Sequence, residues 1–531
     1  MSDSSTPTSS SVSPSPAAAT DALNTASIKG AAATKRQIRG SSLLLFGQIA
    51  SKGLTFLVQV MIVRYLSKDA YGAFAYALSI ASLGTTICLL GLDRAVTRFA
   101  PIYHEREDYR KMAGTIAMAL STVLLLGVAV IVIFYGLQGF LNRTFIKDDL
   151  AAALLLILIF FAPVDALNNL MNGMFAVFSK PGAIFFRKYI LGPGLEIIVV
   201  VLLMVGKSGV QFLAVGYLFS GVLAILIYGA MLLQMLRKMD LLRFFKPAVI
   251  QIPAREILMF TIPLLTSDLV YVVMNTVDAI LIGYFYNTAA LADLRAVQST
   301  AKLNLFVLSS FALLFTPAAA RMFARNDHKG INNLYWQNAV WIAVVTFPVF
   351  ILSFSLAQPI TVLVYGQRYE DSALIMALFS LAYYFNAATG QNGMTLKVFG
   401  KLRLIVLINV AAAVLNLLVN LMLIPRYGAL GAAFGTFVTL IIFNCMKQGG
   451  LRLIGISIFD LTYLKVYLSI IVTAVGVLLV QVIFSPPVYL SIGIAGIGSL
   501  LVFRINIRLL NVEQMFPELL KIPFMKKILG V

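Results

Sequence analysis

Six cations lie inside long apolar runs of this chain: Lys52, Arg64, Arg94, Arg98, Arg295 and Lys302. A charge in hydrocarbon is costly, so such side chains turn towards a bundle interior or a water-filled cavity. In the first run Gln48, Lys52, Thr55 and Gln59 are spaced by four, three and four residues. On a helix that spacing gathers them within about 60°, one polar stripe on an otherwise apolar surface. A later run carries Ser267, Asp268, Tyr271, Asn275 and Asp278, and the next carries Arg295, Gln298, Ser299 and Lys302. These residue types bind and orient; they do not make a nucleophile with its base. A cavity in which Lys52, Arg295 and Lys302 outnumber the carboxylates favours an anionic ligand. Asp278 and Asp268 are the candidates for coupling to an ion, a proton or sodium, with Asp165 and Glu196 behind them.

Each of these residues also has a structural reading. Arg64 could snorkel to an interface, Lys52 could pair with a carboxylate, and Asp268 could satisfy backbone loosened by Pro263. Arg94 and Arg98 lie four apart on one face near the end of the second run. They could anchor it at headgroup level or make first contact with a phosphate headgroup. No cofactor or metal is expected. His104 and His328 have no partner at ligand spacing, and Cys88 and Cys445 are far apart in apolar runs. Gly206-Lys207-Ser208 resembles the end of a phosphate-binding loop, but the motif's first glycine would fall at Val201.

Long apolar helices must position these groups. The 531 residues are 60% hydrophobic and 12% charged, with a mean hydropathy of +0.91. Too few charges remain to cover a water-soluble fold of this length. Runs of roughly 18–25 residues, each enough to cross about 30 Å of hydrocarbon, recur along the chain. About fourteen are expected, from 41–64 and 71–98 through 404–424 and 429–446 to 466–484 and 487–503. The fold class is therefore all-α integral membrane. The net charge of +19 follows the loops: with the N-terminus in the cytoplasm, the inner segments hold 29 lysines and arginines and the outer ones 6. That is the positive-inside bias, with both termini cytoplasmic. It is topology, and no nucleic acid is implied.

Asn172-Gly173-Met174 recurs as Asn392-Gly393-Met394, and Val177-Phe178 with Lys180 as Val398-Phe399 with Lys401. Gly209 and Gly216 recur as Gly428 and Gly435, and Asp148-Asp149 as Glu370-Asp371. The four matches keep one order at nearly one offset. An offset spanning six helices preserves orientation, so the repeats are parallel. The expected organisation is a disordered cytoplasmic tail (1–34), an N-lobe of six helices (35–240) and a C-lobe of six (255–448). An extra helix pair (462–503) and a basic amphipathic tail (504–531) follow.

Two segments carry a family resemblance. The first reads Val63-Arg64-Tyr65-Leu66-Ser67-Lys68-Asp69-Ala70-Tyr71-Gly72, and the second Gly91-Leu92-Asp93-Arg94-Ala95-Val96-Thr97-Arg98-Phe99. With Val364-Tyr365-Gly366 and residues 425–433, they resemble the oligosaccharide and polysaccharide (O-antigen type) flippases. These belong to the multidrug/oligosaccharidyl-lipid/polysaccharide exporter superfamily. The resemblance covers roughly residues 38–503 and implies alternating access around a cationic cavity. It also implies a polyprenyl-diphosphate-linked glycan carried from the cytoplasmic to the outer leaflet of the inner membrane, without enzymatic chemistry. The diphosphate would sit near Lys52, Arg295 and Lys302, with Arg64 and Arg94 as outlying contacts. Partners would be the lipid-linked glycan, membrane lipid and polysaccharide assembly machinery. The alternatives are a cation-coupled drug or metabolite exporter of the same fold, a membrane glycosyltransferase or ligase, and a non-transporting scaffold.

Overall fold

The computed structural model describes residues 47–510 except 49, 145, 147, 178–184 and 247, and it leaves undescribed the side chains at 142–144, 176–177, 187–188, 263–269, 271 and 273–275. The expected tails at 1–34 and beyond 510, and the side chains of Asp268 and Asn275, therefore lie outside the described residues. Every described element is a helix. The first set comprises α1 (50–65), α2 (Lys68–Leu89), α3 (Leu92–Glu105), α4 (Tyr109–Thr144), α5 (Asp149–Leu158), α6 (Phe161–Val177), α7 (Gly192–Val205) and α8 (Val210–Lys238). The second comprises α9 (Ala254–Phe285), α10 (Thr288–Ala301), α11 (Phe306–Ala324), α12 (His328–Phe354), α13 (Ala357–Tyr365), α14 (Ala373–Ala388), α15 (Asn392–Val398) and α16 (Leu402–Arg452). Last come α17 (Leu464–Phe484) and α18 (Val488–Leu510).

Local chemistry sets these boundaries, and it recurs. Ser67 caps α2 by accepting a hydrogen bond from the Ala70 amide, and Asn287 caps α10 by accepting from Ala290, 220 residues on. Asp327 accepts from the Gly330 amide at the start of α12, and Asp108 accepts from Lys111 at the start of α4, 219 residues earlier. Such a cap satisfies an amide that has no partner within the helix. At Gly428 the backbone turns to φ 54° and ψ −129°, which glycine tolerates, so α16 is bent there into two stretches.

Three boundaries differ from the sequence expectation. The second apolar run is interrupted at Leu90 and Gly91, both in the left-handed region, so Asp93, Arg94 and Arg98 lie in a separate helix, α3, although 68–105 still forms one stretch long enough to cross a membrane. The loop after the ninth run contains α13, too short to register as a span. The last helix runs to Leu510, past the expected end of the span at 503. Asn506, fully buried, donates to Ser469 at 2.8 Å, and the Leu510 carbonyl accepts from Trp341 at 2.8 Å. Apolar periodicity could not show that end, because an asparagine satisfied by a neighbouring helix reads as polar surface.

Nine described helical stretches are long and apolar enough to cross a membrane, ten if the pair α5–α6, bent by 42°, counts as one. Their outward side chains are apolar, as with Leu125 at 70% exposure and Val205 at 77%. That is the reverse of a protein whose surface meets water. The chain is a multi-pass membrane protein. Helices of the first set pack mainly on one another, as do those of the second, and α17 and α18 lie against α12. The sets meet where α2 packs along α9 and α10. Gly72 makes this approach possible: a Cβ there would lie 1.9 Å from the Thr288 carbonyl oxygen, a backbone atom that cannot swing aside. Gly72→Ala is expected to cost about 1–3 kcal/mol by overpacking. Thermal unfolding in detergent would show it as a lower midpoint, and an unchanged midpoint would contradict the close contact.

Candidate functional site

Between the two sets lies a polar cavity of about 330 Å³. α2 supplies Tyr71, Ser79 and Ser82, α1 supplies Gln59, and α9 supplies Thr276. The end of α10 supplies Arg295, Gln298 and Ser299, and Lys302 follows at the head of a tight 3₁₀ turn, Lys302–Leu305. Residues 295, 298, 299 and 302 share one helical face, so the spacing legible in the sequence does converge on one space.

Arg295 organises this space. It donates to Gln298 at 2.8 Å and to Ser79 at 3.3 Å, and it forms an ion pair with Asp278 at 3.3 Å. It therefore ties α10 to α9 and to α2 of the other set. Gln298 in turn donates to the Tyr383 hydroxyl at 3.2 Å, and Gln59 donates to the Tyr71 hydroxyl. Asp278 is almost fully buried and also accepts from the Ala279 amide at 2.8 Å. Its carboxylate thus offsets the Arg295 charge, while Lys302, exposed to the cavity, adds a further positive charge.

The remaining predicted residues divide. Lys52 lies outside the cavity lining, 3.5 Å from the Ser309 hydroxyl and 5.7 Å from the Phe306 ring centre on α11, one to two turns beyond Lys302. Thr55 is exposed and Gln48 half-buried on the same helix. Neither lines the cavity, so the four-residue stripe contributes only Gln59 to it. Arg94 is exposed on α3 and is not part of the cavity wall. Asp165 lies within the first set, bonded to Thr85 and Asn169, with Glu196 nearby. Among the described residues no group of three or more metal-ligating side chains forms.

Arg64 takes another position than the cavity. Its Nε donates to the Val364 carbonyl at 2.8 Å and its terminal nitrogen to the Leu363 carbonyl, both at the end of α13. Arg368 makes the reciprocal contact, donating to the Val63 carbonyl and, at 2.9 Å, to the Arg64 carbonyl at the end of α1. Each arginine fills the unsatisfied carbonyls of the other set's helix and complements its negative dipole end. Beside them Lys68 pairs with Asp293 at 2.7 Å, and Ser372 donates to the same carboxylate at 2.8 Å. This clasp was missed in the sequence, because Arg368 and Asp293 fall in a loop and on an ordinary helix face. At the opposite end the sets touch through Tyr103, which donates to Glu256 at 2.8 Å, and through Arg98 over the Phe260 ring.

Comparisons with known proteins agree with this architecture. The chain is 22% identical over 427 residues to an uncharacterized membrane protein of Methanocaldococcus jannaschii, covering 76% of this chain and 82% of that protein. It is 22% identical over 138 residues, about a quarter of each chain, to the stage V sporulation protein B of Bacillus subtilis. Among solved structures it resembles the lipid II flippase MurJ in an inward closed conformation, with TM-score 0.66 and 15% identity over 89% of this chain and 99% of that one. It also resembles a multidrug resistance MATE family transporter of the MOP superfamily in an inward-facing conformation, with TM-score 0.61 and 14% identity over 77% and 98% of the two chains. The fold is thus that of the MOP transporters. Residues 38–323, more than half of the chain, match the family described as polysaccharide biosynthesis protein, and to that family this chain belongs.

Proposed function

We propose that this protein is a flippase that carries a polyprenyl-diphosphate-linked oligosaccharide across the cytoplasmic membrane for surface polysaccharide assembly, and that it is not an enzyme. The observation that carries the reading is the pair Arg295 and Lys302 in a polar cavity between two helix sets. Cations there suit the diphosphate, while the polyprenyl tail remains in lipid between the sets. The two sets act as parallel six-helix lobes, with α17 and α18 as an added pair, making about fourteen crossings. Helix starts and caps that recur at an offset of 219–220 residues support this layout. Alternating access then means that the Arg64–Arg368 clasp closes the outer end and opens as the inner contacts tighten. Asp278 is the proposed coupling carboxylate, for a proton or sodium: neutralising it releases Arg295 to the substrate.

A second reading, a cation-coupled exporter of drugs or metabolites, draws on the MATE-like fold and on the Asp278–Arg295 pair. The deciding experiment follows lipid-linked precursor in cells whose own flippase is depleted. Expression of this chain should restore surface glycan and clear precursor from the inner leaflet. Restored drug efflux without precursor clearance would select the exporter. Reporter fusions test the orientation: after Lys246 and Arg325 they should report cytoplasm, and after Gln367 the outer side. An outer signal after Lys246 would invert the clasp and overturn the gating scheme.

A further inference from the structure

A second polar cavity, of about 500 Å³, opens where α12 begins and α16 ends, and it shares no lining residue with the central one. Its wall includes His328, Lys329, Asn332 and Asn333 from the start of α12, with Arg452 and Ser457 across from them. The wall is preformed. Ser457 donates to Asn332 Oδ1 from its amide at 3.0 Å and from its hydroxyl at 2.9 Å, and Trp336 Nε1 donates to the Ser457 hydroxyl at 2.6 Å. One turn on, Gln448 donates to the Ile458 carbonyl at 3.0 Å, and Ile456 is buried. The loop after α16 is thereby fixed to α12 before any ligand arrives, which lowers the ordering cost of binding.

The cavity is positively charged. Lys329 and Arg452 are exposed, and among the described residues neither pairs with a carboxylate. The one acid at the start of α12, Asp327, is occupied in capping that helix through the Gly330 amide at 2.8 Å. Two unpaired cations facing Asn333, in a volume within the roughly 300–1,000 Å³ of small-ligand clefts, select an oxyanion. The flanks name its carrier. Leu453, directly after Arg452, and Leu461, directly after the loop, are each 76% exposed. Helix ends with charge in a pocket and bare leucines beside it match a lipid, headgroup in the pocket and acyl chains on the leucines.

We infer that this cavity binds the phosphate of an anionic phospholipid between Lys329 and Arg452. The site is independent of the transported substrate and stands whether or not the flippase reading holds. Full-length protein in neutral detergent should rise in unfolding midpoint by roughly 3–5 °C on addition of phosphatidylglycerol. Phosphatidylcholine should give no rise. Lys329→Gln/Arg452→Gln should lose the phosphatidylglycerol effect while unfolding as one cooperative transition. Should that double variant fold poorly, Lys329→Arg with Arg452→Lys keeps both charges and should retain the effect. An equal rise in the double Gln variant, or none in the wild type, would overturn the site. A full rise with sn-glycerol 1-phosphate or inorganic phosphate alone would keep the phosphate site but overturn its assignment to lipid.

Discussion

Removal of charge at both Arg295 and Lys302 is expected to abolish precursor translocation while leaving the protein in the membrane. Each cation that meets a diphosphate oxygen makes a charge-assisted hydrogen bond, worth about 1.5–3 kcal/mol. Losing both should lower transport roughly 10²- to 10⁴-fold. The design must respect the Asp278–Arg295 pair. Arg295→Gln alone leaves a buried carboxylate without its partner, which costs about 3–5 kcal/mol and confuses instability with lost function. Asp278→Asn with Arg295→Gln removes both members and should hold normal protein levels, yet transport should still fail. The measurement is inner-leaflet precursor and surface glycan in flippase-depleted cells, with membrane levels as control. Full complementation by Arg295→Gln, Asp278→Asn, Lys302→Gln would end the anionic-substrate reading and leave the exporter.

Position grades the remaining cations. Lys52 lies beyond the cavity wall against Phe306 and Ser309, so Lys52→Gln should weaken transport less than Lys302→Gln. Lys52→Arg should preserve most of it, since lysine there acts as a point charge. Arg295→Lys should be poorly tolerated, because Arg295 reaches Ser79, Gln298 and Asp278 at once through its planar fork and a single ammonium cannot span all three.

What the sequence made legible follows physical range. Apolar runs and loop charge report the solvent around each helix, so the membrane class and most helix positions could be read directly. Helical spacing also brought Arg295, Gln298, Ser299 and Lys302 to one wall, because those positions share a face of one helix. The stripe on α1 was a weaker guide. Its residues share a face, but only Gln59 reaches the cavity, because nothing in the spacing says which neighbour covers each turn. Arg64 shows the limit most clearly. Its role depends on carbonyls some 300 positions away, and main-chain oxygens have no signature in the residue types that carry them. Ser79 and Tyr383 were missed for the same reason, being ordinary polar residues until Arg295 and Gln298 reach them.

Breaking the clasp is expected to open the end of the cavity that the proposed topology places outside. Arg64 and Arg368 are the reciprocal donors between helix ends of the two sets, and the Lys68–Asp293 pair lies beside them. In Arg64→Ala/Arg368→Ala the carbonyls of 63, 64, 363 and 364 lose their charged donors, so the closed state loses stabilisation that an open, hydrated end does not need. Loss of even two of these four charge-assisted contacts, at about 1.5–3 kcal/mol each, can move a two-state equilibrium by two orders of magnitude or more. Ser79→Cys, in a background with Cys88 and Cys445 replaced by serine, places a single thiol on the cavity wall. A membrane-impermeant thiol reagent added outside should label it slowly in the clasped protein and at least tenfold faster in the double variant. Transport should fall at the same time, since a carrier held open on one side cannot return. Arg64→Lys/Arg368→Lys should lie between the two, because an ammonium can reach one carbonyl but cannot bridge a pair. Unchanged labelling with normal transport in the double alanine variant would show that these arginines only finish helix ends and that the gate lies elsewhere.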